Sequence, residues 1–226
     1  STASFKAGGI GSAVVAGGNY VLGSGIRTAG TGTTTLVVGG DVTQATGPAD
    51  IISTGTLRIT RRAGTDPSVR LDNPGNQVTS VAGVALGQGA FTLANAGNLS
   101  IDGAITASGG ISLTTSGSGT IAIGADLMAG TDGAVQLDAV GSVVQSLGAI
   151  TAKSVDARAQ GSINLNLGSN AFGVITGSGK LGFSAVTTQA LTIGAAGVGS
   201  TSGSVSLTTI GVGGDITLAG QISAAG

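Results

Sequence analysis

Four guanidinium groups, Arg58, Arg61, Arg62 and Arg70, fall within 13 positions and form the densest cluster of charge in the chain. Arginine forks onto carboxylate and phosphate groups through paired N–H donors, so the quartet is a candidate patch for an anionic ligand such as an acidic polysaccharide. Asp66 and Asp72 lie in the same stretch, and a solvated edge of local ion pairs accounts for the same residues. All ten acids are aspartates. Asp132 and Asp156 stand 24 positions apart, so a repeat of that period would stack them and offer two carboxylates for acid–base work on a glycan. Histidine, glutamate and cysteine are missing, which removes the usual general base and the imidazole and thiolate metal ligands. The expectation is no enzyme: no catalytic residue, no cofactor and no metal centre. Asp132-Gly133 reads as a turn, since the Gly-Gly-x-Gly-x-Asp repeat of calcium-binding rolls is missing. Thr33-Thr34-Thr35, Thr114-Thr115 and Thr208-Thr209 raise a third chemistry, an ice-binding face, which needs threonines at one fixed position on every repeat.

Composition limits the scaffold that carries these groups. Glycine supplies 44 of 226 residues, charged residues 8% and aromatics 2%, yet 41% of the chain is hydrophobic. A disordered chain is poor in aliphatics and rich in charge, so this one folds around a core and uses its glycines as turns. The net charge of -1 gives no electrostatic reason for a nucleic-acid partner. No apolar run reaches 18 residues, so no transmembrane helix is expected. The start, Ser1 to Lys6, lacks a basic and an apolar region, and the chain reads as a mature piece or a segment of a longer fibre.

Repetition gives the architecture. Leu71-Asp72-Asn73-Pro74-Gly75-Asn76 returns 22 positions later as Leu93-Ala94-Asn95-Ala96-Gly97-Asn98. Around it run three interleaved series of apolar-polar-apolar triplets. One contains Val69-Arg70-Leu71, Phe91-Thr92-Leu93, Ile111-Ser112-Leu113, Val135-Gln136-Leu137, Val155-Asp156-Ala157, Leu181-Gly182-Phe183 and Val205-Ser206-Leu207. A second runs through Val78-Thr79-Ser80, Leu99-Ser100-Ile101, Ile121-Ala122-Ile123, Val143-Val144-Gln145, Ile163-Asn164-Leu165, Leu191-Thr192-Ile193 and Ile216-Thr217-Leu218. The third runs from Val84-Ala85-Leu86 through Ala104-Ile105-Thr106, Asp126-Leu127-Met128 and Ala149-Ile150-Thr151 to Val174-Ile175-Thr176, with Gln221-Ile222-Ser223 last. A period of two marks a strand with one face in a core, and three strands per period mark a solenoid. The fold class is therefore all-β: a three-sided parallel β-helix (β-solenoid) forming a single domain over residues 1–226, with coils of about 20–28 residues and essentially no helix. Residues 1–35 do not fall into register and are expected as irregular or cap-like coils, with regular coils over 36–226. Asn73 with Asn95, and Asn76 with Asn98, occupy equivalent positions one coil apart and are expected to form amide ladders or left-handed corners.

With these units in view, the chain resembles the filamentous haemagglutinin-like family of bacterial secreted adhesins. The resemblance rests on the two Leu-x-Asn-x-Gly-Asn units, the Gly-Ala-Ile-Thr-Ala units at 103–107 and 148–152, Gly-Asp-Ile-Thr-Leu at 214–218 and Gly-Asp-Val-Thr-Gln at 40–44, over roughly residues 33–226. It implies a right-handed β-helix shaft, a secreted or bacterial cell-surface location, and a structural role in adhesion, aggregation or biofilm matrix. The partners expected are neighbouring coils of the same or identical chains end to end, and surface glycans or polysaccharide. A self-assembling extracellular filament is the alternative.

Overall fold

The computed structural model describes residues 11–28 and 30–225, and for the strand Gly11–Ala16 its backbone and pairing. Every regular element described is a strand, and all 24 join one sheet. The pairings are parallel along its whole length, from Gly11 against Thr33 to Val198 against Ile222. Parallel neighbours need a long connection between them; here that connection is the rest of the coil, so the chain winds into a β-solenoid of about 9 turns.

The triplets position everything else. Strand residues alternate between the two faces of the sheet, and burial follows: in Ile121–Ile123 and Leu99–Ile101 the outer two residues are buried and the middle one faces out. Register then stacks like on like. Tyr20, Val42, Val69, Phe91, Ile111, Val135, Val155 and Ile175 follow one another up a single inward column. The same ladders carry an outward column of Thr43, Arg70, Thr92, Ser112, Gln136, Asp156 and Thr176. Among the described residues no charged side chain is buried.

The observed register departs from the sequence reading in four places. Val78-Thr79-Ser80 and Val84-Ala85-Leu86 each sit one residue out: Ser100 and Ile101 pair with Ser80 and Val81, and Ile105 pairs with Val84, because Gln77–Gly87 runs through a corner as one strand. Offsets between paired residues run from 18 (Val174 with Thr192) to 27 (Val42 with Val69), wider than the 20–28 read from the triplets. Residues 11–27 are in register after all: Gly11–Ala16 lies on Thr33–Val38, Tyr20 on Val42 and Ile26 on Ile52. Three-residue triplets are too sparse there to show it, and residues 1–10 lie outside those described. Beyond Leu165 the series exchange members. Phe183 pairs with Ile163 and Val205 with Phe183, so both belong to the Leu99–Ile121–Val143 ladder; Ile175, not Leu181, stacks on Val155. The cause is the long strands Ile150–Ala159, Ala171–Gly179 and Leu191–Ser200, which turn a corner without breaking.

Candidate functional site

The arginine quartet is divided between ladders. Arg58 lies on Ile52–Arg61 opposite Thr35, whereas Arg70 lies on Val69–Leu71 between Thr43 and Thr92. Two of the four are engaged locally. Arg61 donates to Asp66 at 2.6 Å and to the Thr65 carbonyl, and Arg70 donates to Asp72 at 2.6 Å. Arg58 and Arg62 are exposed. One face therefore does not gather the quartet against a ligand.

Asp132 and Asp156 do not stack either. Asp156 has Gln136 and Thr176 as ladder neighbours and bonds Arg158 at 3.1 Å, while Asp132 sits in the turn before Ala134–Ala139. Two shallow furrows of about 220 and 230 Å³ lie near one corner. Thr92, Ser112 and Gln136 line the first, and Thr131, Lys153 and Gln189 the second; no carboxylate lines either. Among the described residues, no group of three His, Cys, Asp or Glu is placed to hold a metal. Thr34 and Thr115 point inward and are buried, so the threonine runs do not form an outward rank.

The acid with a distinct environment is Asp102. Ser80 donates to one carboxylate oxygen at 2.5 Å, Ser100 donates to the other, and these serines are themselves stacked one coil apart. The Ser100 bond and then the Ser80 bond hold the Asp102 pKa below its ordinary value, against a smaller opposing effect of burial.

Polar groups converge inside the corners instead. Where a strand ends at a corner, the backbone N–H of the next strand loses its ladder partner, and a buried polar atom left unpaired is costly. Side chains of the following coil take that role. Asn76 Oδ1 accepts from Ile52 N–H at 2.8 Å, Asn95 Oδ1 from Val78 N–H at 2.7 Å, Asn170 Oδ1 from Ile150 N–H at 2.9 Å and Thr187 Oγ1 from Phe172 N–H at 3.1 Å. Asn73 closes its own turn by accepting from Gly75 N–H, and donates to the Ala45 and Gly47 carbonyls of the preceding coil. Asn98 is exposed and accepts from Thr120 N–H at 3.0 Å. The four asparagines singled out by the repeat thus serve as corner clamps: each meets backbone groups of its own or a neighbouring coil.

Two of these clamps are completed by glutamine, which the sequence reading missed. Asn76 and Gln44 exchange two amide bonds, 2.7 and 2.9 Å, and Asn170 and Gln145 do the same at 2.8 and 2.9 Å. The signal was a Gln in the third place of Val-Thr-Gln and Val-Val-Gln, where the stacked neighbours carry Leu22 and Ile123.

No family model, curated protein or solved structure matches this chain.

Proposed function

We propose that this chain is a length of non-enzymatic structural shaft in an extracellular fibre or adhesin. The observation that carries the reading is the unbroken stacking of coils: all 24 described strands join one parallel sheet, and one inward apolar column runs from Tyr20 through Phe91 to Ile175. A stack in which each coil rests only on its neighbours makes an extended spacer. The dispersed acids, the divided arginine quartet and a core filled by aliphatic columns suit a spacer better than a catalytic cleft. The extracellular placement rests on the resemblance of the Leu-x-Asn-x-Gly-Asn and Gly-Ala-Ile-Thr-Ala units to secreted adhesin repeats. Glycans on a neighbouring surface are the partner expected for such a fibre.

The like-on-like register of the inward columns favours a second reading, in which a coil of one chain seats a coil of an identical chain and the chains stack end to end into a filament. Negative-stain electron microscopy of native material, with intact mass, separates the two. A long rod of one large polypeptide supports the shaft, and filaments of units the size of this chain support assembly. Compact single particles that never elongate overturn both.

A further inference from the structure

The inward columns are built almost wholly of interchangeable aliphatic residues, and this creates a problem of identity between coils. A slip of one residue along a strand turns the apolar set outward and is strongly resisted. A slip of one whole coil is different. Looping out a coil, or accepting an equivalent coil from another chain, leaves the inward and outward pattern intact, and loop entropy grows only slowly with length.

We infer that Gln44–Asn76 and Gln145–Asn170 are register keys: buried amide pairs that fix which coil stacks on which and exclude foreign coils. The two are built alike. In each, a Gln in the third place of a strand triplet interrupts an aliphatic column, and it is 6% or 5% exposed. In each, the Asn lies five residues after a strand leucine of the next coil and is 0% exposed. Asn76 Nδ2 also donates to the Leu71 carbonyl and Asn170 Nδ2 to the Leu165 carbonyl. Gln44 Nε2 also donates to the Asp50 carbonyl and Gln145 Nε2 to the Gly148 carbonyl. Each amide pair therefore binds the end of one strand, its own corner and the start of the next strand into one network. A coil without the complement leaves two buried amides unpaired, the kind of penalty by which a buried Asn sets register in coiled coils. The unit Leu93 to Asn98 is the natural control. It has the same spacing, but Leu71 stands where a Gln would be needed, and Asn98 faces solvent.

The chain has no cysteine, so engineered pairs report register without background. Val144 faces Asn164 and Thr43 faces Arg70 in adjacent parallel strands, all four outward, within the Cα separation a disulfide spans. Val144→Cys/Asn164→Cys and Thr43→Cys/Arg70→Cys are refolded under oxidising conditions, and intramolecular bridges and disulfide-linked dimers are scored by mass and non-reducing gel. In the parent sequence both pairs bridge within the chain. Adding Gln145→Met, close to Gln in length, is expected to lower bridging at 144/164 severalfold and raise dimers, with 43/70 unchanged; Gln44→Met does the converse. Unchanged bridging at both reporters overturns the inference. So does an equal loss at both, which marks plain destabilisation. If one variant does not fold, the other with its own reporter and the distant one carries the same test.

Discussion

The side-chain oxygen of Asn95 takes the backbone N–H of Val78, one coil away, at 2.7 Å, while its Nδ2 reaches the Asn98 carbonyl at 3.1 Å. Asn95 is 1% exposed. Asn95→Ala strands a buried donor and is expected to cost about 1–3 kcal/mol in urea denaturation. Asn98→Ala, three residues on and exposed, lets water replace its bond to Thr120 and should change stability by less than about 0.5 kcal/mol. Equal costs would mean that the asparagines matter as a set rather than through the corner each one clamps.

Val143 and Val144 test the inside–outside assignment with one sequence step. Val143 is 0% exposed and Val144 37%. Val143→Asp places an unpaired charge in an apolar column and should cost on the order of 3–5 kcal/mol, whereas Val144→Asp stays near the parent. Thermal melts of the two variants side by side read this out; similar midpoints would reverse the assigned face.

Gly177 and Gly173 lie on one strand and should respond oppositely to alanine. Gly177 has φ +137°, and a Cβ there would stand 1.8 Å from the Ala157 carbonyl oxygen of the preceding coil. Gly177→Ala should cost on the order of 3 kcal/mol. A Cβ on Gly173 meets its nearest atom at 3.7 Å, so Gly173→Ala should stabilise by about 0.4–1 kcal/mol through the unfolded chain. Denaturant midpoints decide the matter, and a destabilised Gly173→Ala would count against the corner geometry.

Asp102 gives the fold a shallow acid limb. Its folded pKa is depressed by the hydroxyls of Ser100 and Ser80, so the folded state favours the carboxylate more than the unfolded chain does. That stability is fully present above the unfolded pKa and is lost as pH falls through the lower folded value. The difference in melting temperature between parent and Asp102→Asn should therefore be constant from pH 5 to 7, within the range about an unperturbed carboxylate stays ionised, and shrink in stronger acid. A difference that grows as pH falls would exclude this role.

Period-two triplets made the parallel solenoid legible where short strands recur: Leu99-Ser100-Ile101, Ile121-Ala122-Ile123, Val143-Val144-Gln145 and Ile163-Asn164-Leu165 stack in the register their spacing predicts. Register failed in the long strands, first in Gln77–Gly87 and again beyond Leu165, for a physical reason. Ala171–Gly179 carries two sides of a coil in one unbroken strand, so Val174-Ile175-Thr176 passed for a third-series unit although it stacks on Ser154, Val155 and Asp156. The site was legible in part. Asn73, Asn76 and Asn95 stood out by repetition, but repetition promised asparagine stacked on asparagine, and the structure clamps each amide to backbone or to a glutamine. Gln44 and Gln145 escaped notice since a polar residue ending a triplet looks like the start of a turn. Only the columns through Leu22 and through Ile123, in two different ladders, show them to be inside.

The outward column of Thr43, Arg70, Thr92, Ser112, Gln136, Asp156 and Thr176 has no repeated letter at successive rungs. Its inward counterpart stays apolar throughout, from Val42 through Phe91 to Ile175. The two alphabets are independent, so each step of about 4.8 Å along the axis can change its exterior while the interior is left alone. The rod behaves as a graduated ruler: a substitution on the outside marks one address along its length without altering the spacing of the others.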